Sequence, residues 1–279
     1  MFNRISYTWG LMRASWNVLK KDKTLLLFPL LSGICCALVL LSFAVPMFVS
    51  GAWHPPARDA SSAQTTVYYG FVFLFYLANY FVITFFNTAI ISCAMLRMAG
   101  GEPTVGDGFR EAAARLPQIA GWALLSATVG LILRIIEDRS KWVGRIVAGL
   151  LGVAWTVASF MVVPVLVAER KGPFGALKGS TELLRQTWGE QLVGNFSFGM
   201  MFGLLGLPAF GFIIVALFLG SATALVLSIA FAVVWLMALS LVQSALQSIF
   251  QAAVYLYARN RMAPAGFESD MLASALRSK

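Results

Sequence analysis

The sequence predicts an all-α membrane protein with about six transmembrane helices, arranged as three hairpins that are each preceded by an amphipathic interfacial helix. Three observations predict it. Charged residues make up only 12% of the 279 residues and hydrophobic ones 59%, whereas an ordinary soluble domain carries about 25% charge. Long stretches have no charge at all, and the basic residues cluster on one side of the spans those stretches define. A surface so poor in charge is stable only against lipid.

The uncharged stretches are 24–57, 60–96, 116–133, 146–168 and 191–258. The last, 68 residues, would be about 102 Å long as one helix at ~1.5 Å per residue, so it must fold back on itself, with Gly220-Ser221 as the natural turn. The spans drawn from these runs are 25–49, 67–96, 117–135, 143–168, 193–219 and 222–257. Continuous rather than alternating apolar runs select helices over a barrel.

With the N-terminus inside, 16 of the 21 Lys and Arg residues fall on cytoplasmic segments, and five (Arg58, Arg134, Arg139, Lys141 and Arg145) fall outside. That is the positive-inside bias. It places both termini in the cytoplasm of a multi-pass protein of the cell membrane. The net charge of +9 is then a topology signal that meets anionic headgroups, not a nucleic-acid footprint. Ser50-Gly51-Ala52 could pass for a cleavage site, but the apolar run before it is about 25 residues, too long for a signal peptide.

The cytoplasmic segments resemble one another. Met12-Arg13-Ala14-Ser15 followed by Val18-Leu19-Lys20, and Leu177-Lys178-Gly179-Ser180 followed by Leu183-Leu184-Arg185, fit one template: apolar, basic, any, Ser, two of any kind, aliphatic, Leu, basic. Phe109-Arg110-Glu111-Ala112 with Arg115-Leu116 fits it less well. Helical spacing gives each segment an apolar stripe: Ile5, Trp9, Met12, Trp16 and Leu19; Val105, Phe109, Ala112 and Leu116; Phe174, Leu177, Leu184 and Trp188. Thr104 with Asp107 reads as a capping box, and Pro173 suits a first helical turn. Each segment therefore predicts an interfacial helix, with Trp9, Trp16 and Trp188 as anchors at headgroup level. The expected organisation is a single transmembrane domain, 1–279. Its parallel pseudo-threefold repeat has units of about 1–98, 99–168 and 169–258, followed by a short cytoplasmic tail, 259–279.

Chemistry-bearing residues are sparse. His54 stands alone beside two prolines, and Cys35, Cys36 and Cys93 lie in predicted spans as small packing residues, so no metal or cofactor is expected. Glu137, Asp138, Arg139 and Lys141 read as a solvated outer turn flanked by snorkelling Arg134 and Arg145. Gly100, Gly101, Gly106 and Gly108 lack the lysine of a phosphate loop. Inside the spans the notable feature is polar and uncharged: Ser240, Gln243, Ser244, Gln247 and Gln251 share one face of the last helix, with Asn79 and Asn87 on the second span as candidate partners. Such a face is either interhelical glue or the lining of a path. Gly199 and Gly203 form a GxxxG pair suited to helix packing, while Pro164 and Pro208 imply kinks.

Several strings carry a resemblance: FPLLSG (28–33), FFN (85–87), GEPTVGDGFREAAARLPQI (101–119), GWALLSATVGLILR (121–134), VVPVLVAERKGPFGAL (162–177) and WGEQLVGN (188–195). Together they resemble a family of uncharacterised bacterial and archaeal six-helix integral membrane proteins, domain of unknown function 6159, over nearly all of the chain. A weaker similarity, through VPVLVAERKGPFGALKGS and LYARNR, reaches the membrane regions of glycerophosphodiester phosphodiesterases, whose chemistry sits on a separate soluble domain. The resemblance implies a membrane bundle and assigns no activity. Absent chemistry favours a non-catalytic membrane scaffold or accessory protein, partnered by the bilayer and by a membrane protein or a second copy, with no nucleic acid. The alternative is a transporter or flippase for a lipid or small amphiphile. A membrane-embedded enzyme would need a cluster such as Glu169, Arg170 and Lys171 and ranks third.

Overall fold

The computed structural model describes residues 2–49, 61–139, 143–186 and 190–260, with 264 and 267. Among them every regular element is helical: α1 (Phe2–Lys21), a 3-10 turn (Lys23–Leu26), α2 (Leu27–Val49), α3 (Ser62–Met98), α4 (Val105–Ala113), α5 (Leu116–Arg139), α6 (Val143–Ser159), α7 (Val162–Glu169), α8 (Pro173–Gln186), α9 (Glu190–Phe218) and α10 (Ala222–Asn260). Six stretches are long and apolar enough to cross a bilayer: Lys23–Val49, Ser62–Met98, Leu116–Asp138, Val143–Glu169, Gly199–Phe218 and Ala222–Asn260. They coincide with the expected spans to within six residues at each end. The turn before α10 lies where the sequence put it, with Gly220 at φ 63°, a left-handed conformation that glycine adopts without strain.

The chain divides into two units. One comprises Met1–Pro29, Ala94–Glu102 and Gln186–Lys279; the other comprises Leu30–Cys93 and Pro103–Arg185.

In the first unit, α1 packs against α9 and α10, and α9 pairs with α10. The buried face of α1 runs through Ser15 (0% exposed), Val18 and Leu19, with Met12 at its edge, while Trp16 is 38% exposed. The expected stripe through Trp16 is therefore rotated. The helix seats its small and aliphatic residues against protein and turns the indole outward, where the Lys20 ammonium lies 5.7 Å from the ring centroid. The side chain of Trp9, and Trp188 altogether, lie outside the described residues. Between α9 and α10 the close approach is at Gly206, where an added Cβ would meet Leu236 at 3.2 Å. Phe212 and Phe231 meet edge to face there, and the Trp235 indole N–H donates to the Leu205 carbonyl at 2.9 Å. That bond satisfies the indole inside an apolar wall.

In the second unit, Phe43 meets Phe71 and Phe75 across α2 and α3, and Trp122 stacks on Trp155 across α5 and α6 at 5.5 Å. Helix α4 begins at Thr104 with the expected capping box. Thr104 Oγ1 accepts from the Asp107 N–H, and Asp107 Oδ2 accepts from the Thr104 N–H. Its Phe109 ring lies about 6 Å from Phe85 and Phe86 of α3.

The fourth span is broken at Phe160–Met161, between α6 and α7, four residues before Pro164, whose ring cannot extend the preceding helix. Helix α9, by contrast, runs unbroken through Pro208. Ser180 of α8 mends the break: its hydroxyl donates to the Ala158 carbonyl at 2.6 Å and accepts the Met161 N–H at 3.1 Å. Helix α8 approaches closely enough for this because its neighbour Gly179 has no Cβ, which would lie 3.0 Å from Val165. The buried face of α8 is Ala176, Gly179, Ser180, Leu183 and Leu184, and Phe174 is 73% exposed, so this stripe too is rotated from the expected one.

Three outcomes follow from these buried and capping groups. Ser180→Ala leaves the Met161 N–H without its partner and should cost roughly 1–3 kcal/mol, lowering the thermal midpoint in detergent. Ser15→Ala removes a buried hydroxyl that has no hydrogen-bond partner among the described residues and should leave that midpoint unchanged or raised. The Thr104 N–H and hydroxyl hold the Asp107 carboxyl below its ordinary range. A carboxyl depressed by folding stabilises above its unfolded pKa and loses that contribution as pH falls through the folded value. The midpoint difference between the native chain and Asp107→Asn should therefore be steady near neutrality, shrink below about pH 4 and then vanish.

Candidate functional site

Helix α10 has 39 residues, about 58 Å at ~1.5 Å per residue, roughly twice the ~30 Å of a hydrocarbon core. Its two halves differ accordingly. Large apolar side chains are exposed from Val226 to Met237, whereas a buried run extends from Ala245 to Tyr257. The polar face falls at the changeover. Ser240 is exposed and donates to the Met237 carbonyl at 2.8 Å. Gln243, Ser244, Gln247 and Gln251 are half-buried, and Ser248 donates to the Ser244 carbonyl at 3.0 Å. The glutamines thus stand where the lipid-type surface ends.

Asn79 and Asn87 are half-buried on α3. The Asn79 amide donates to the Phe75 carbonyl one turn back, at 2.9 Å, so that bond stays within its own helix. Gly199 and Gly203 face open space within the chain: a Cβ added to either would meet nothing within 4 Å. The close approach they were expected to supply lies one turn further on, at Gly206.

The buried cation of the second unit was not singled out from sequence as a site. Arg115 sits in the turn between α4 and α5 and is 6% exposed. Its Nε and Nη2 donate to the Val167 carbonyl at 3.1 and 2.8 Å, while Nη1 donates to the Glu111 carbonyl at 2.8 Å and to the Glu111 carboxylate. Val167 is in the last turn of α7, where carbonyls lack helical partners and the dipole favours a cation. The planar fork reaches two helix ends at once. The only sequence signal was a basic residue spaced like the buried positions of its neighbours. In the first unit Arg97 does similar work from α3: it donates to the Lys21 carbonyl at the end of α1 and to the Gly101 carbonyl.

The acidic pair read as a solvated turn belongs instead to the last turns of α5. Asp138 has a side chain only 14% exposed, with Arg134 Nε at 3.3 Å, and accepts from the Tyr69 hydroxyl at 3.4 Å. The i to i+4 spacing of Arg134 and Asp138 on a continuing helix explains the difference. Glu169 pairs with Lys171 at 2.6 Å beside Arg170, whose φ of 50° turns the chain from α7 into α8. Among the described residues no three of His, Cys, Asp and Glu come together as a metal site. His54 and Lys141 lie outside those residues. Cys93 is buried with its thiol 3.7 Å from the Thr104 carbonyl.

Comparison with known proteins finds one family match, described as a family of unknown function (DUF6159), over residues 66–266. No curated protein matches. The weaker similarity to phosphodiesterase membrane regions is not supported.

The two bonds from Arg115 to Val167 generate a specific expectation. Arg115→Met should destabilise the protein by roughly 1.5–3 kcal/mol, the range for a bond to a charged group. Arg115→Lys should recover only part of that loss, because an ammonium cannot supply the same fork. Unfolding in detergent, followed by Trp fluorescence, reads both.

Proposed function

The chain belongs to the family of unknown function DUF6159, and from that premise we propose that it is a non-catalytic multi-pass scaffold of the cell membrane with both termini in the cytoplasm. The observation that carries this reading is where the buried polar side chains go. Arg115, Ser180, Asn79 and Ser248 each bond to main-chain carbonyls. Arg115 and Ser180 hold a helix end and a break in place, and Asn79 and Ser248 bond back within their own helices, so these groups do not converge on a cleft of the kind acid–base or nucleophilic chemistry would need. The basic residues at the inner ends of the spans orient the chain.

The same reading includes the threefold repeat. The template positions Ser, aliphatic and Leu are among the buried ones in both α1 (Ser15, Val18, Leu19) and α8 (Ser180, Leu183, Leu184); in the middle segment the corresponding Ala112 and Arg115 are buried, while Leu116 is exposed. Each of these helices seats on the second helix of a hairpin: α4 on α3, α8 on α6–α7, α1 on α10. Three similar units facing the same way suit a platform for a membrane-protein partner or a second copy.

A second reading, a transporter or flippase for a lipid or small amphiphile, draws on the half-buried glutamines of α10 and the break at Met161. Cysteine accessibility separates the two. With Cys35, Cys36 and Cys93 replaced by Ala, a membrane-impermeant maleimide should label Ser61→Cys only from outside and Arg110→Cys only from inside. Gln247→Cys should resist labelling from outside under all conditions. Labelling of Gln247→Cys from both sides would favour transport, and labelling of Arg110→Cys from outside would overturn the topology.

A further inference from the structure

A cavity of about 560 Å³ lies within the first unit, between α1, α9 and α10. That is within the usual range for a small-molecule site, ~300–1,000 Å³. Its walls are Trp16 from α1, Phe202 and Leu205 from α9, and Trp235, Leu239 and Leu246 from α10. The deep wall is closed, with Phe202 7% and Leu246 2% exposed. The Trp235 N–H is already committed to the Leu205 carbonyl. The interior therefore offers no free hydrogen-bond donor from its indole and suits an alkyl chain, because a polar solute would leave its own groups unpaired.

The rim is different. Arg13 lines it, is exposed, and takes part in no ion pair among the described residues. The Lys20 ammonium lies over the Trp16 ring that forms one wall. A cation on the lining, and a second against an indole of its wall, match the profile of a phospholipid whose headgroup is negative. We propose that this cavity holds one acyl chain of an anionic phospholipid, with the lipid phosphate at Arg13. The charge at the rim selects the headgroup, and the apolar depth selects the tail. The site goes beyond the scaffold reading and rests on the first unit alone.

Native mass spectrometry of the full chain in mild detergent tests it, with dioleoyl phosphatidylglycerol and dioleoyl phosphatidylcholine as probes. The native chain should retain one phosphatidylglycerol in preference to phosphatidylcholine. Arg13→Gln should weaken phosphatidylglycerol about fivefold, the effect of ~1 kcal/mol per basic residue near an anionic surface, and leave phosphatidylcholine unchanged. Ala238→Phe, which projects a ring into the slot, should abolish the first bound lipid of either kind. Equal retention of the two lipids by the native chain would overturn the proposal, as would a first lipid that survives Ala238→Phe. A lipid-free dimer split by Ala238→Phe would overturn it too, by assigning the cavity to a second copy. Arg13 is exposed, so its variant keeps the test decisive should Ala238→Phe fail to fold.

Discussion

A polypeptide in lipid has no water to satisfy the main-chain groups it leaves unpaired, and that constraint organises the described structure. Continuous helices meet it over most of their length. It bites at ends and breaks, and several polar side chains stand there, while others, such as Asn79 and Ser248, bond back within their own helices. Ser180 covers the break between α6 and α7, Arg115 covers the end of α7, and Arg97 covers the end of α1. Thr104 and Asp107 cap the start of α4. The scarcity of charge and the precision of its placement are two sides of one requirement.

The amphipathic helices answer a second requirement. A helix such as α10 is too long to be sheathed wholly by lipid, so part of it needs protein around it. Helix α1 supplies that covering for α10, and within the second unit α4 and α8 do the same for α3 and for α6–α7, each through small residues that permit close contact: Ala14 and Ser15, Gly108 and Ala112, Gly179 and Ser180. Charged side chains such as Lys20, Arg110, Lys178 and Glu182 stay exposed, and Arg13 borders the cavity beside α9 and α10. This is why they differ from the spans in composition while each keeps a buried face within its own unit.

Much of this was legible in the sequence, because charge-free runs and turn glycines are local signals. The spans, the turn at Gly220 and the capping box at Thr104 needed only spacing and residue type. The buried faces of α1 and α8 were legible in part. A hydrophobic stripe marks Trp16 and Phe174 as inward, but packing is decided by which side allows close approach, and the small residues Ser15 and Ser180 win. The role of Arg115 was not legible, since it depends on a carbonyl 52 residues away in the chain. Likewise Gly199 and Gly203 carry a packing motif, yet the partner helix approaches at Gly206. Asp138 reads as solvated if the span ends at 135, but α5 continues to Arg139 and carries it against Arg134.

The division of α10 into a lipid-type half and a protein-covered half has a consequence for how the molecule meets membranes of unequal depth. A span with apolar surface at only its bilayer length must tilt, or stretch its surroundings, when the hydrocarbon layer changes. Here the same rod continues beyond that length with walls of its own. A thicker layer can climb toward the glutamine-bearing turn, and a thinner one can recede from it, with the rod keeping its inner contacts. The edge of the hydrocarbon can therefore shift along this one rod at modest cost, while the other spans keep their own lengths.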